Sequence, residues 1–161
     1  MPAKLLREFL DANKVRYVTI THSTAYTAQE IAALTHTKGR DMAKTVIVKL
    51  DDVLAMAVLP ATHHVDLGVL KDATRANSVT LATEPAFRSR FPGCETGAMP
   101  PFGNLFNMQV FVDESLSKEK EIAFSAGSHN EVTRMSYDDF AHLVRPRVLK
   151  LLALHAGAHA A

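Results

Sequence analysis

Three groups of residues in this sequence have types and spacing that suit chemistry. Lys44 stands directly before the apolar run Thr45–Leu50. A cation at the mouth of a buried strand can meet an anion or a polar substrate. Its ordinary alternative is an edge lysine whose stem lies on apolar surface with the ammonium in water. The segment Gly97-Ala98-Met99-Pro100-Pro101-Phe102-Gly103 joins glycines, which let backbone approach a ligand closely, to prolines that stiffen it. Rigid backbone amides of this kind can hold an oxyanion, although the same composition also serves a plain connecting loop. The third group, Ser125-Ala126-Gly127-Ser128-His129-Asn130, puts a bend of small residues and an imidazole after an apolar strand. Histidine there can act as base, donor or ligand, or be a satisfied surface residue.

Other chemistries lack their residues. The sequence has no phosphate loop, no HExxH, no CxxC spacing and no GxSxG elbow. His63, His64, Asp66 and His22 offer nitrogen and oxygen ligands, which makes a metal-dependent hydrolase a rival reading. Adjacent histidines on a strand point to opposite faces and chelate one ion poorly. No metal and no cofactor is therefore expected.

The elements that must position these groups can be read from periodicity. Leu5, Leu6, Phe9 and Leu10 predict an amphipathic helix over about residues 3–13. Residues 15–20 are β-branched and aromatic, as a strand requires. Thr27-Ala28-Gln29-Glu30 is a capping box before an Ile31–Leu34 helix, with Gly39 as its expected stop. Residues 45–50 and 53–59 flank Asp51-Asp52 as a hairpin of central strands covered on both faces, ended by Pro60. Asp66 and Thr83 are candidate caps of two short helices, the second with Pro85 in its first turn and Phe87 facing inward. Residues 92–107 form a Pro- and Gly-rich loop. Strands follow at 108–112, 121–126 and 132–135, then a helix from Ser136 carrying Phe140, Leu143 and Val144. Beyond Pro146, the residues Val148, Leu149, Leu151 and Leu152 predict a last short helix, and the tail from Gly157 to Ala161 is expected to fray. Helices and strands mix without a strict βαβ rhythm. The expected fold is α/β (α+β), one domain over residues 1–161, with a mixed, curved or barrel-like sheet surrounded by helices.

Bulk properties narrow the class further. The chain has 161 residues, 47% hydrophobic and 22% charged, with a net charge of +1, which suits one globular domain. That balance excludes a strongly basic DNA-coating protein, though not a local basic patch. The single cysteine, Cys94, cannot form an internal disulfide, so a reducing compartment is expected. No apolar run approaches the ~18 residues of a membrane span, and the N-terminus lacks signal-peptide features. A cytoplasmic protein without membrane attachment is expected.

Taken in order, the motifs resemble the YbaK and prolyl-tRNA-synthetase-associated editing domains, over about residues 15–145. The resemblance is carried by His22 with Thr27-Ala28-Gln29-Glu30-Ile31-Ala32, by Lys44-Thr45 opening a strand, and by Leu59-Pro60-Ala61 closing the hairpin. Gly97-x-x-x-Pro101-Phe102-Gly103 and Ser125-Ala126-Gly127-Ser128-His129 complete it. It implies a free-standing aminoacyl-tRNA deacylase acting on the 3′ aminoacyl end of mischarged tRNA, with no DNA partner. Lys44, Gly97 and His129 are the implied catalytic residues. His22, Thr45, Pro101, Phe102, Gly103, Ala126, Gly127 and Ser128 are the implied substrate-binding residues. Gly127 and His129 resemble the synthetase-inserted and related free-standing members, since the strict YbaK branch carries an arginine-containing turn there. Two departures bear on selectivity: Pro100 replaces a small polar residue, and Thr45 stands where alanine-specific members often carry Asn. A small amino acid such as Ala, Ser, Thr or Cys, on tRNA-Pro, is the implied substrate. The other reading is a non-catalytic module binding tRNA or a small ligand in the same pocket. Lys38, Arg40, Lys71, Arg75, Arg88 and Arg90 are candidate tRNA contacts, and the protein is a monomer or a homodimer.

Overall fold

The computed structural model describes residues 2–150 and 152–155. The N-terminal helix α1 (Pro2–Ala12) buries Leu6 and Leu10, one turn apart on one face. Strand β1 (Tyr17–Thr21) leads to α2 (Ala28–Leu34). Thr27 caps α2: its Oγ1 accepts from Glu30 N at 3.1 Å and donates to Glu30 Oε1 at 2.9 Å. Thus the Thr27 half of the capping box read from the sequence is formed, while the Glu30 carboxylate accepts from the Thr27 hydroxyl and not from its backbone amide.

The hairpin of β2 (Ala43–Leu50) and β3 (Val53–Pro60) turns at Asp51-Asp52 and ends at Pro60. Then come β4 (His63–Val65), α3 (Leu67–Thr74), β5 (Val79–Leu81) and α4 (Glu84–Phe87). Asp66 caps α3 through Gly68 N and Val69 N. Thr83 occupies the cap of α4 without a side-chain hydrogen bond, and Phe87 is buried there. The second half comprises β6 (Gln109–Asp113), α5 (Glu114–Ser117), β7 (Glu121–Ser125), β8 (Glu131–Ser136) and α6 (Tyr137–Val144). The short strands β9 (Arg147–Leu149) and β10 (Ala153–His155) follow.

A five-stranded sheet has the order β5-β2-β3-β6-β9. It is mixed: β2 is antiparallel to β3 and β5, while β3, β6 and β9 run parallel. A second sheet, β1-β8-β7, is antiparallel, and a bridge from Met42 to Ala123 joins it to the entrance of β2. β4 pairs with β10. Because side chains alternate along a strand, β2 sends Ile47 into a large core with Met56, Phe102, Phe124 and Phe140. It sends Val48 into a second core with Leu59, Leu70, Phe111 and Leu152. Both hairpin strands are therefore interior strands, as their continuous apolar runs require. Among the described residues no helix is long and apolar enough to cross a membrane.

Two expectations are corrected, and three elements are added. The segment after Pro146 is not a helix: β9 pairs with β6, and β10 with β4. Along β9 Val148 is 45% exposed and Leu149 is 8% exposed, the alternation of an edge strand, and the free edge of β6 supplies its partner. Leu151 and the tail from Gly157 to Ala161 lie outside the described residues. Gly39 does not stop α2, which ends at Leu34. There the Thr35 hydroxyl donates to Ile31 O at 2.8 Å and His36 turns the chain at φ +54°. Finally, β4, β5 and α5 are elements that periodicity did not foretell. Asp113, 5% exposed, organises the last of these. One carboxylate oxygen accepts from the amide and hydroxyl of Ser115 at the start of α5, and the other from Ala153 N at 2.9 Å.

Candidate active site

The polar groups gather where β2 begins and β7 ends. Lys44 is half-buried on β2 and makes no ion pair or side-chain hydrogen bond among the described residues. Burial lowers its pKa from the ordinary lysine value, because desolvation disfavours the charged form. It lines two cavities. One, of about 20 Å3, also has Tyr26, Thr45, Gly97, Met99 and Ser125 in its wall. The other, of about 290 Å3, lies against Val46, His64, Asp66, Leu81 and Leu154.

The two glycine turns are clamped to each other. Glu95 N donates to Gly127 O at 2.9 Å, and Gly127 N donates to Ala98 O at 2.8 Å. Gly97 (φ +86°) and Gly127 (φ +107°) hold backbone conformations that side chains resist. From α4, Glu84 binds Thr96 Oγ1 at 3.0 Å and Arg88 at 2.7 Å, and the hydrogen bonds from Arg88 and Thr96 lower the pKa of its carboxyl. The loop is thus fixed on both sides. Its Gly97 and Met99 amides make no hydrogen bond among the described residues, and both residues line the small cavity.

His129 supports this loop from behind rather than lining the cavity. It is 8% exposed. Its Nε2 donates to Thr96 O at 2.8 Å, and its backbone amide donates to Glu95 Oε2 at 3.3 Å. Because a carbonyl can only accept, Nε2 carries a proton, and the buried Nδ1 has no hydrogen-bond partner among the described residues. Tyr26 covers the ring, with centroids 4.9 Å apart. A Cβ built on Gly97 would stand 3.6 Å from His129 Cε1.

The remaining sequence-derived residues divide. Thr45 reaches the small cavity, and Gly127 holds the loop. His22 lies beside the second turn: its amide donates to Asn130 O at 2.9 Å and its Nδ1 to Ser23 O at 2.7 Å. Ser128 donates to Asn130 Oδ1 at 2.7 Å. Ala126 and Pro101 are buried. Phe102 is 0% exposed and packs on Phe124 and Phe140 at 5.4 and 5.5 Å, so it is a core residue. Gly103 is structural too: a Cβ there would lie 2.3 Å from Met108 O. Tyr26 was missed, whereas Met99 and Ser125 lie within the two quoted glycine segments but were given no role of their own. Tyr26 is 72% exposed, and no periodicity marks an exposed aromatic over a cavity. Among the candidate tRNA contacts, Arg88 is paired with Glu84 and Arg90 binds the carbonyls of Phe106 and Asn107. Arg40 lies 3.9 Å from Glu119, whereas Lys71 and Arg75 have no ion pair among the described residues. No three His, Cys, Asp or Glu side chains converge as a metal site among the described residues.

The fold and its cavities define an α+β domain with Lys44 and the two glycine turns at one end of its strands β2 and β7. The model of the aminoacyl-tRNA editing domain family matches residues 22–143, most of the chain, and the chain belongs to that family. Solved structures share the fold. The hypothetical protein APE2540 is 20% identical with a TM-score of 0.81, covering 92% of this chain and 98% of its own. A candidate trans-editing enzyme for prolyl tRNA synthetase is 20% identical with a TM-score of 0.78, covering 92% and 96%. A candidate signal transduction protein from Marinobacter aquaeolei VT8, 12% identical with a TM-score of 0.72, matches 93% of this chain and only 30% of its own length. No curated protein matches the sequence.

Proposed function

We propose that this protein is a cytoplasmic trans-editing deacylase. It hydrolyses the ester between a small amino acid, such as Ala, Ser, Thr or Cys, and a mischarged tRNA, with tRNA-Pro as the first candidate. The observation that carries this reading is the pair of unpartnered amides, Gly97 and Met99, in the same small cavity as the unpaired Lys44. Donors fixed before the reaction stabilise a developing oxyanion without reorganising, and one such donor contributes about 3–4 kcal/mol to the transition state. Water attacks the ester carbonyl, its oxygen moves towards the two amides, and Lys44 orients the substrate as a point charge. Thr45 and Ser125 add hydroxyls to the wall. His129 acts as a positioning residue, since its ring holds Thr96 O and thereby the Gly97 loop. The vicinal hydroxyl of the terminal ribose can assist proton transfer.

Size supports the choice of acyl group. A cavity of about 20 Å3 holds about one water molecule, so only the smallest side chains enter without displacing the exposed Tyr26 ring. Such a site discriminates one methylene by about 1–3 kcal/mol, which is useful as a second sieve. Lys71 and Arg75, both without an ion pair, are the proposed phosphate contacts. The test is incubation with a panel of mischarged tRNAs. Release of free Ala, Ser, Thr or Cys by the wild type, abolished in Lys44→Ala with the fold intact, supports the reading. Binding or protection of the ester without release identifies a non-catalytic module instead.

A further inference from the structure

A third cavity lies where the chain entering β2 meets β7 and β8, and neither Lys44 nor a glycine turn lines it. Its volume is about 170 Å3, below the roughly 300–1,000 Å3 of drug-sized ligand pockets. Lys38, Asp41, Glu121 and Arg134 stand in its wall, two cations and two carboxylates. No ion pair joins either cation to either carboxylate among the described residues. Arg134 is anchored on one side only. It donates to Thr37 Oγ1 at 3.0 Å, which lies 2.8 Å from Thr35 Oγ1, and Thr35 in turn donates to Ile31 O of α2. A guanidinium has five N–H groups, and the others on Arg134 make no hydrogen bond among the described residues. On the acidic side, the buried Asp41 Oδ1 has no hydrogen-bond partner, and Glu121 makes no side-chain hydrogen bond or ion pair among the described residues. Negative charge is crowded there. The neighbouring Glu119 carboxyl is raised above its ordinary range by burial and by the hydrogen bond and charge of Asp41, which Arg40 and Lys38 only partly oppose.

Unmet donors and unmet acceptors therefore share one small space. An inorganic anion would meet Asp41 and Glu121, and a metal ion would meet Arg134 and Lys38. No three His, Cys, Asp or Glu side chains converge here or elsewhere among the described residues. A small molecule carrying both charges on one carbon satisfies both sides, since half-buried charges are held cheaply only when paired. We infer that this cavity binds a small free α-amino acid as its zwitterion, with the carboxylate on Arg134 and the ammonium on Asp41 and Glu121. The place suits an effector. Ala123 N donates to Asp41 O at 2.9 Å, and the Met42–Ala123 bridge fastens the entrance of β2 to β7 beside the cavity. The same two strands carry Lys44 and Ser125 to the small cavity. A small amino acid is also the product of the proposed hydrolysis; that connection rests on the deacylase reading, and the binding does not.

The test reads binding alone. L-alanine is titrated into isotope-labelled full-length protein while the amides of Thr37, Asp41, Ala123 and Arg134 are followed. Saturable shifts at these amides are expected. N-acetylalanine lacks the ammonium and alanine amide lacks the carboxylate, so each should bind about tenfold or more weakly. Arg134→Gln and Asp41→Asn should weaken alanine by a similar factor. Glu121→Gln changes an exposed side chain, leaves the packing alone and should weaken alanine too. Lys44→Ala should bind alanine as the wild type does. Shifts confined to Tyr26, Gly97 and Ser125 would put the amino acid in the small cavity and overturn the inference. Equal binding of alanine and either blocked form marks a site for a single charge and overturns it as well. So does an absence of shifts, or unchanged affinity in both Asp41→Asn and Glu121→Gln, even where the wild type deacylates tRNA. Alanine binding here by a protein that releases no amino acid from any tRNA supports the site and counts against the deacylase reading.

Discussion

Replacing Gly97 with alanine separates the loop's chemistry from its packing. The new methyl meets no obstacle, because a Cβ at this position lies 3.6 Å from His129 Cε1, an ordinary contact. The cost comes from the backbone, held at φ +86°, where an L side chain is strained by about 1–3 kcal/mol. For a chain of this size, that corresponds to a fall in Tm of roughly 2–12 °C. If the loop relaxes that strain by rotating the peptide, the Gly97 amide leaves its position on the cavity, and one oxyanion donor is worth about 10²–10³ in kcat. Single-turnover deacylation of a mischarged tRNA, alongside a thermal melt, measures both effects. The expected protein is folded, modestly destabilised and at least a hundredfold slower. A Gly97→Ala protein with the predicted loss in Tm and a wild-type rate would remove the Gly97 amide from the mechanism. Gly103→Ala is the control of opposite kind. Its Cβ would fall 2.3 Å from the Met108 carbonyl, so stability should suffer more than activity per folded molecule.

Lys44→Met should abolish turnover and yet raise Tm at neutral pH, because burial makes the Lys44 charge costly to the folded state. Since its folded pKa lies below the unfolded one, the unfolded chain binds more protons in that interval, and wild-type stability should rise as pH climbs through it. Lys44→Met should lack that rise, which pH-dependent melts can read. His129→Ala should lower kcat, and His129→Gln, which can still donate to Thr96 O, should restore much of it. Equal losses in both variants would indicate proton transfer by the imidazole instead. Burial pushes the Cys94 thiol up to about 11, so alkylation at pH 8 should run roughly two hundredfold slower than for a free cysteine. Reaction at the free-thiol rate would show that the Phe91–Cys94 turn opens readily.

Local signals foretold the elements whose physics is local. The Thr27 cap, the Asp51-Asp52 hairpin and the cap at Asp66 each depend on neighbours a few residues apart, and each formed. The segment 147–155 could not be read so. Val148, Leu149, Leu151 and Leu152 fit a helical face, but the free edge of β6 and the backbone of β4 decide the matter, and both are distant in sequence. The site divides in the same way. Lys44 and Gly97 were legible because a cation at a strand entrance and a glycine in a stiff loop are unusual by type. Phe102 and Gly103 share a motif with Gly97, yet the phenyl ring turns into the core and the glycine yields to Met108 O. The neighbours Tyr26 and Ser125 reach the cavity from elements that only the folded chain brings together.

Asp113 ties α5 and β10 to the end of a central strand, and β10 contributes Leu154 to the wall of the larger cavity. That wall is therefore made later in synthesis than the rest of the site. A ribosome that has extended the chain through α6 has already made Lys44 and both glycine turns, but the space beside them remains open on one side. The cavity should close only once residue 154 has cleared the exit tunnel and its strand has paired with β4.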